Sequence, residues 1–202
     1  MLTTLEIILF LLLLIGAGYF GGKGFYDVYR AIARGKPDAR FDDLPGRIRR
    51  ALWTVLTQRS VFKARPLVSF FHGLIFYGFV FYFLVNLVDL LEGMFGIHAR
   101  GGLWNPFNLA ADLLTAAVLL GVGAMVLRRF VMRSKDFDFA ANTFIAPEAR
   151  AGIQRDSAIV ASFIFFHVGC RLMFKATQIA QQGSDGFQPL GSLLALPFSA
   201  AA

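Results

Sequence analysis

Two of the chain's three histidines lie inside long apolar runs. His72 sits in SFFHGLIFYGF and His167 in FIFFHVGCRLMFK. An ionisable side chain within a bilayer core is costly, so each is a candidate functional residue. Such an imidazole can hydrogen-bond a neighbouring helix, or it can ligate a metal centre. Gly73 follows His72, and Gly169 lies two positions after His167. A flat macrocycle needs small residues where it meets a helix, and imidazole is the usual axial ligand of a b-type haem in a helix-bundle core. The pattern therefore points to haem b, with His72 and His167 as metal ligands and Gly73 and Gly169 beside the ring. Zinc fits less well, because no third ligand stands at a matching depth. At 1.5 Å per residue, His72 lies roughly 9 Å into its span and His167 roughly 16 Å, a difference of about 7 Å. One haem bridging both through helix tilt, or two haems each with a second ligand elsewhere, are both compatible with that spacing.

A polar stripe continues from His167 through Arg171, Lys175 and Gln178, at intervals that keep to one helix face. Arg171, one turn beyond His167, is suited to a haem propionate or a quinone carbonyl. Lys175 reads as a side chain reaching for the interface. Asn86, Asp89, Glu92 and Asp112 gather near the same membrane face. Asp89 or Asp112 is expected to pair with Arg171 or Lys175, with proton relay as the alternative role. Phe70, Phe71, Phe76, Tyr77 and Phe79 read as packing or as the lining of a haem or quinone slot. Cys170 reads as a small buried filler, and His98 as a solvated loop residue.

The elements that must position these residues are helices in a membrane. Of 202 residues, 56% are hydrophobic and 16% charged, and the mean hydropathy is +0.60. About 20 apolar residues cross the hydrocarbon core. Spans are expected at 2–20, 67–91, 107–127 and 157–180, forming one all-α integral membrane bundle of four helices in a single domain. The first apolar run lacks a basic leader region and reads as a retained helix. GGKG at 21–24 lacks phosphate-loop spacing and a preceding strand, so it reads as a bend after a helix. The segment 47–58 (RIRRALWTVLTQ) reads either as an amphipathic helix at the interface or as an ordinary loop helix. The tail from Gln181, with Pro189 and Pro197, is too short to span and is expected to be re-entrant, on the surface, or the start of something longer. One cysteine excludes an internal disulfide and a cysteine-held iron–sulfur cluster.

The net charge of +7 does not point to nucleic acid, because the basic residues flank apolar segments. The loop 21–66 holds eleven Lys and Arg against four Asp, and the loop from Arg128 to Arg155 holds six basic residues. The loop between the second and third spans holds one, and the tail after Ala180 holds none. Basic loops stay in the cytoplasm, which sets the N-terminus outside. Trp104 reads as an interfacial anchor.

The run ARPLVSFFHGLIFYGF, followed by FFHVGCRLMFKA, resembles the membrane domain of heterodisulfide-reductase-like iron–sulfur oxidoreductases. That domain is similar to the gamma subunit of respiratory nitrate reductase. The resemblance implies five spans, b-type haem, further histidines on the fifth span and a cytoplasmic iron–sulfur domain. Some relatives are proposed to pass electrons between electron-transfer flavoprotein and menaquinone. This sequence departs by stopping where the fifth span should begin, so a fragment or a partner chain completing the site is expected.

The expected function is a haem b-containing membrane subunit, in a bacterial or archaeal cytoplasmic membrane. It would carry electrons between an iron–sulfur partner and menaquinone or another quinone. A structural anchor whose histidines only hydrogen-bond is one rival. A small transporter subunit is another, though no inverted repeat or broken helix supports it.

Overall fold

In the computed structural model the residues described are 2–36, 42–96, 101–135, 144–183 and 185–199. His98 lies outside them. The described residues are helical, with no strand. In chain order the helices are α1 (Thr4–Ala33), α2 (Leu44–Thr57), α3 (Arg59–Ala64), α4 (Pro66–Phe95), α5 (Trp104–Val126), α6 (Pro147–Gln182) and α7 (Pro189–Ser199). A π-helical turn, Leu127–Val131, continues α5. Four helices are long and apolar enough to cross a membrane: Thr4–Ala33, Pro66–Phe95, Trp104–Val131 and Pro147–Gln182. The chain is thus an all-α, multi-pass membrane protein. The last three expected spans lie inside these helices and the first overlaps α1 from Thr4 on; α1 and α6 extend furthest beyond their expected spans, to Ala33 and back to Pro147.

Two compact units divide the chain. One comprises Met1–Thr57 with Val88–His98, the other Gln58–Leu87 with Ala99–Ala202. In the first, Thr3 and Glu6 form a reciprocal capping box at the start of α1, satisfying two orphan backbone donors. The Leu2 amide donates to the Gly93 carbonyl at 2.9 Å. Gly21 to Gly24 lie within α1, so GGKG is not a bend. Each glycine lowers helix propensity by about 1 kcal/mol, yet none breaks the hydrogen-bond ladder. The 47–58 segment is helical as far as Thr57 and extends back to Leu44, ending at Gln58, whose φ is 48°.

The second unit is built around an antiparallel pair, α4 and α5. Apolar side chains gain little by leaving lipid for each other, so small residues that let backbones approach decide where helices cross. A Cβ on Gly121 would lie 2.8 Å from the Phe71 carbonyl and 2.7 Å from Ile75 Cγ1. One on Gly78 would overlap Val118. Tyr82, Val85, Ala111, Val118, Val122 and Val168 form the buried cluster of α4, α5 and α6. At the opposite end, Arg129 donates through Nη2 to the Ile153 carbonyl at 3.3 Å, fixing the start of α6 beside the end of α5. Pro147 opens α6, where its missing N–H costs nothing, and Gly183 with φ of 96° closes it.

The tail forms a helix, α7, packed back on α6. Gly191 lies against Ile179, where a Cβ would meet the side chain at 2.9 Å. The Asp112 carboxylate accepts the amides of Leu190 at 2.6 Å and Gly191 at 3.1 Å. These are first-turn donors that the helix itself leaves unsatisfied, and a carboxylate is the favoured partner at that pole. Asp185 holds the connection by accepting from Phe187 N–H and Gln188 Nε2, both at 2.8 Å.

Candidate functional site

The best-defined polar constellation in the second unit surrounds Tyr82 of α4. Its ring is buried, and its hydroxyl bonds the Thr115 hydroxyl on α5. Thr115 spends its one hydrogen on the Ala111 carbonyl at 2.7 Å, so Tyr82 must be the donor between the two. From α6, the His167 ring approaches Tyr82 edge-on, with centroids 6.3 Å apart. The Arg171 guanidinium carbon lies 5.7 Å from the Tyr82 ring centroid, within cation–π range. His167 also stacks on Phe163, one turn earlier, at 6.0 Å and 2° between planes. Asp112, whose carboxylate caps α7, is buried and has Arg171 and Asp185 as charged neighbours.

The stripe His167, Arg171, Lys175 and Gln178 borders the packed face of α6 but does not lie in it. The buried positions are Val168, Leu172, Ala176 and Ile179, each one residue later and so about 100° around a helix of 3.6 residues per turn. His167 is consequently exposed, while Arg171, Lys175 and Gln178 are half-buried. Arg171 is not a bare charge, since Tyr82 and Asp112 both act on it.

His72 does not join this group. It is exposed on α4, ten residues before Tyr82, or roughly 15 Å along the helix at 1.5 Å per residue. Since Tyr82 marks the level of His167, the two imidazoles stand about twice as far apart in depth as counting from span ends suggests. The counting fails because α6 starts at Pro147, well before the apolar part of the span. Two axial ligands of one iron must lie at nearly the same level, so His72 and His167 do not fit as the pair holding a single haem. Among the described residues no group of three His, Cys, Asp or Glu could hold a metal ion.

The two glycines also separate. Gly73 is buried, and a Cβ there would meet the Phe62 ring of α3 at 3.3 Å, so packing of α3 accounts for it. A Cβ added at Gly169 would have nothing within 4 Å, but two residues set it about 200° around α6 from His167, so this open surface is not beside the imidazole. Cys170 is exposed and not a buried filler, because it lies off the packed face of α6. Around His72, Phe70, Tyr77 and Phe79 are exposed, so they are not core residues. Phe70 pairs edge-on with Phe71, and Tyr77 with Phe76. Asp89 and Glu92 are half-buried in the last turns of α4.

No family model, curated protein or solved structure matches the chain.

Tyr82→Phe and Tyr82→Ala separate the hydroxyl from the ring. The phenylalanine variant keeps the ring beneath Arg171 and leaves Thr115 bonded to Ala111, so it is expected to cost about 0.6 kcal/mol, a typical interhelical hydrogen bond. The alanine variant loses the aromatic contacts and opens a void, for about 3–5 kcal/mol. Unfolding in mixed micelles with rising SDS measures both, and equal losses would refute this division.

Proposed function

We propose that the chain is the haem b-carrying membrane component of a quinone-linked oxidoreductase, exchanging electrons with a cytoplasmic iron–sulfur partner. The observation that carries the reading is the α6 face. His167 is an exposed imidazole inside a membrane span, with the Arg171 guanidinium one turn away on the same side of α6, and an ionisable side chain at that depth marks a functional site by default. A b-type haem would supply one-electron redox chemistry there.

The chain's own residues take defined parts. His167 would hold the haem iron from the rim of the packed face, and Tyr82 and Phe163 restrict the rotation of its ring. Arg171, steadied over Tyr82, presents donors to a propionate or a quinone carbonyl. His72 would hold a second group at its own level. The segments between α1 and α4 and between Val131 and α6 face the cytoplasm in this reading.

A structural anchor remains the specific rival, favoured by the stacking of His167 on Phe163 and its edge contact with Tyr82. Those contacts give the imidazole apolar company without a metal. The deciding measurement is a reduced-minus-oxidised spectrum and haem-to-protein ratio for protein extracted from its native membrane with its partners. Haem is expected, and His167→Ala is expected to remove or misligate one equivalent while His72 keeps any other. A complex free of haem, or an unaltered spectrum in His167→Ala, would decide for the anchor.

A further inference from the structure

We propose that α2 lies flat on the bilayer face adjoining the 21–66 loop and binds anionic phospholipid headgroups there. At 100° per residue, Leu44, Val55, Ile48, Leu52 and Leu56 fall within an arc of about 120°. All five are exposed, and α2 has no buried residue. Arg47 and Arg49 flank that arc on opposite sides, while Arg50 and Thr54 occupy the far face. An apolar stripe rimmed by arginines on both edges suits a helix sunk to the headgroup boundary, with guanidinium groups reaching up to phosphates.

Three observations select a lipid surface as the occupant. The chain is tethered, since α2 lies between Ala33, which ends one spanning helix, and Pro66, which begins another. A linker of about ten residues reaches at most about 35 Å, so α2 stays beside the bilayer at high effective concentration. The charge is complementary, with eleven Lys and Arg against four Asp across 21–66. The acidic neighbours hold α2 only loosely. Arg47 pairs with Asp42 at 3.6 Å and Arg50 with Asp43 at 3.2 Å, on exposed side chains, and such surface pairs yield readily to competing anions.

The test uses the full chain with Cys170→Ser and a nitroxide at Leu52→Cys or Thr54→Cys. It is reconstituted in nanodiscs of phosphatidylcholine alone or with phosphatidylglycerol added. In the anionic discs, the Leu52 label should collide with oxygen and be shielded from an aqueous nickel chelate, and the Thr54 label should show the reverse. Each arginine near an anionic surface is worth about fivefold in partitioning. Reversal by Arg47→Glu with Arg49→Glu should therefore lower the immersed-to-solvated ratio at Leu52 more than about tenfold. Phosphatidylcholine discs should show less immersion than anionic ones. Equal nickel access for both labels in all discs would overturn the proposal in favour of a solvated loop helix. A Leu52 label shielded from both reagents in both lipids would overturn it in favour of a protein partner. Immersion indifferent to phosphatidylglycerol and to charge reversal would remove the anionic headgroup. None of these readings depends on haem.

Discussion

Gly121→Leu is expected to abolish the packing of α4 on α5, and Gly123→Leu, two residues away, is expected to do almost nothing. At Gly121 the nearest obstacle that cannot swing aside is the Phe71 carbonyl, 2.8 Å from a Cβ. A flexible side chain could adjust, but a helix backbone can yield only by moving the whole helix. Overpacking a core costs about 1–3 kcal/mol when side chains adjust; forcing two helices apart also strips the Tyr82–Thr115 hydrogen bond and the contacts of Val118. At Gly123 nothing lies within 4 Å of a Cβ, and leucine facing lipid is tolerated on a spanning helix. SDS-driven unfolding of the two variants in parallel checks this, and a similar midpoint for both would mean that α4 and α5 do not cross at Gly121.

The second large effect is expected at Asp112. Its carboxylate satisfies the amides of Leu190 and Gly191 in a buried setting. A hydrogen bond to a charged group is worth about 1.5–3 kcal/mol, so Asp112→Ala should loosen α7 by about 3 kcal/mol or more. Asp112→Asn keeps one acceptor oxygen and should cost about half as much. Hydrogen exchange reads this locally. The amides of residues 190 and 191 should exchange about 100-fold faster in the alanine variant, since about 1.4 kcal/mol corresponds to tenfold. Amides in the middle of α4 should not change. Unaltered protection at both positions would mean that packing of Gly191 on Ile179 alone seats α7.

The spans are legible in the sequence because bilayer thickness imposes a length and an apolar composition that no nearby residue can disguise. Their ends are less so. α1 runs on through Gly21 to Ala33 although its residues turn polar, because a helix needs only its backbone ladder to continue. His167 and Arg171 read as a pair on one face, and the structure keeps them together at Tyr82. The depth of His72 relative to His167 is not legible, since counting from span ends assumes that helices begin where apolarity begins. The partners that matter most, Thr115 for Tyr82 and the α7 amides for Asp112, lie 33 and 78 residues away in sequence. Neither has a local signature. Asp112 reads in the sequence as a partner for Arg171 or Lys175; Arg171 does act on it, but its hydrogen bonds go to backbone. α7 is hidden because 11 residues with an internal Pro197 match neither a span nor an ordinary surface helix.

The length of α6 has a mechanical consequence. Its 36 residues extend about 54 Å at 1.5 Å each, against a hydrocarbon core of about 30 Å. Much of the excess lies at its N-terminal end, from Pro147 to Asp156, and it is continuous with the turns that carry His167 and Arg171. A helix of this kind acts as a lever. A tilt of about 10° would carry an end projecting about 15 Å, or ten residues, sideways by roughly 2.6 Å. The Arg129 bond to Ile153 sits near where such a lever leaves the membrane and would serve as its fulcrum. A soluble protein pressing on the projecting end would thereby be felt at Arg171, more than 20 Å away along one helix at about 1.5 Å per residue, through a single rigid rod.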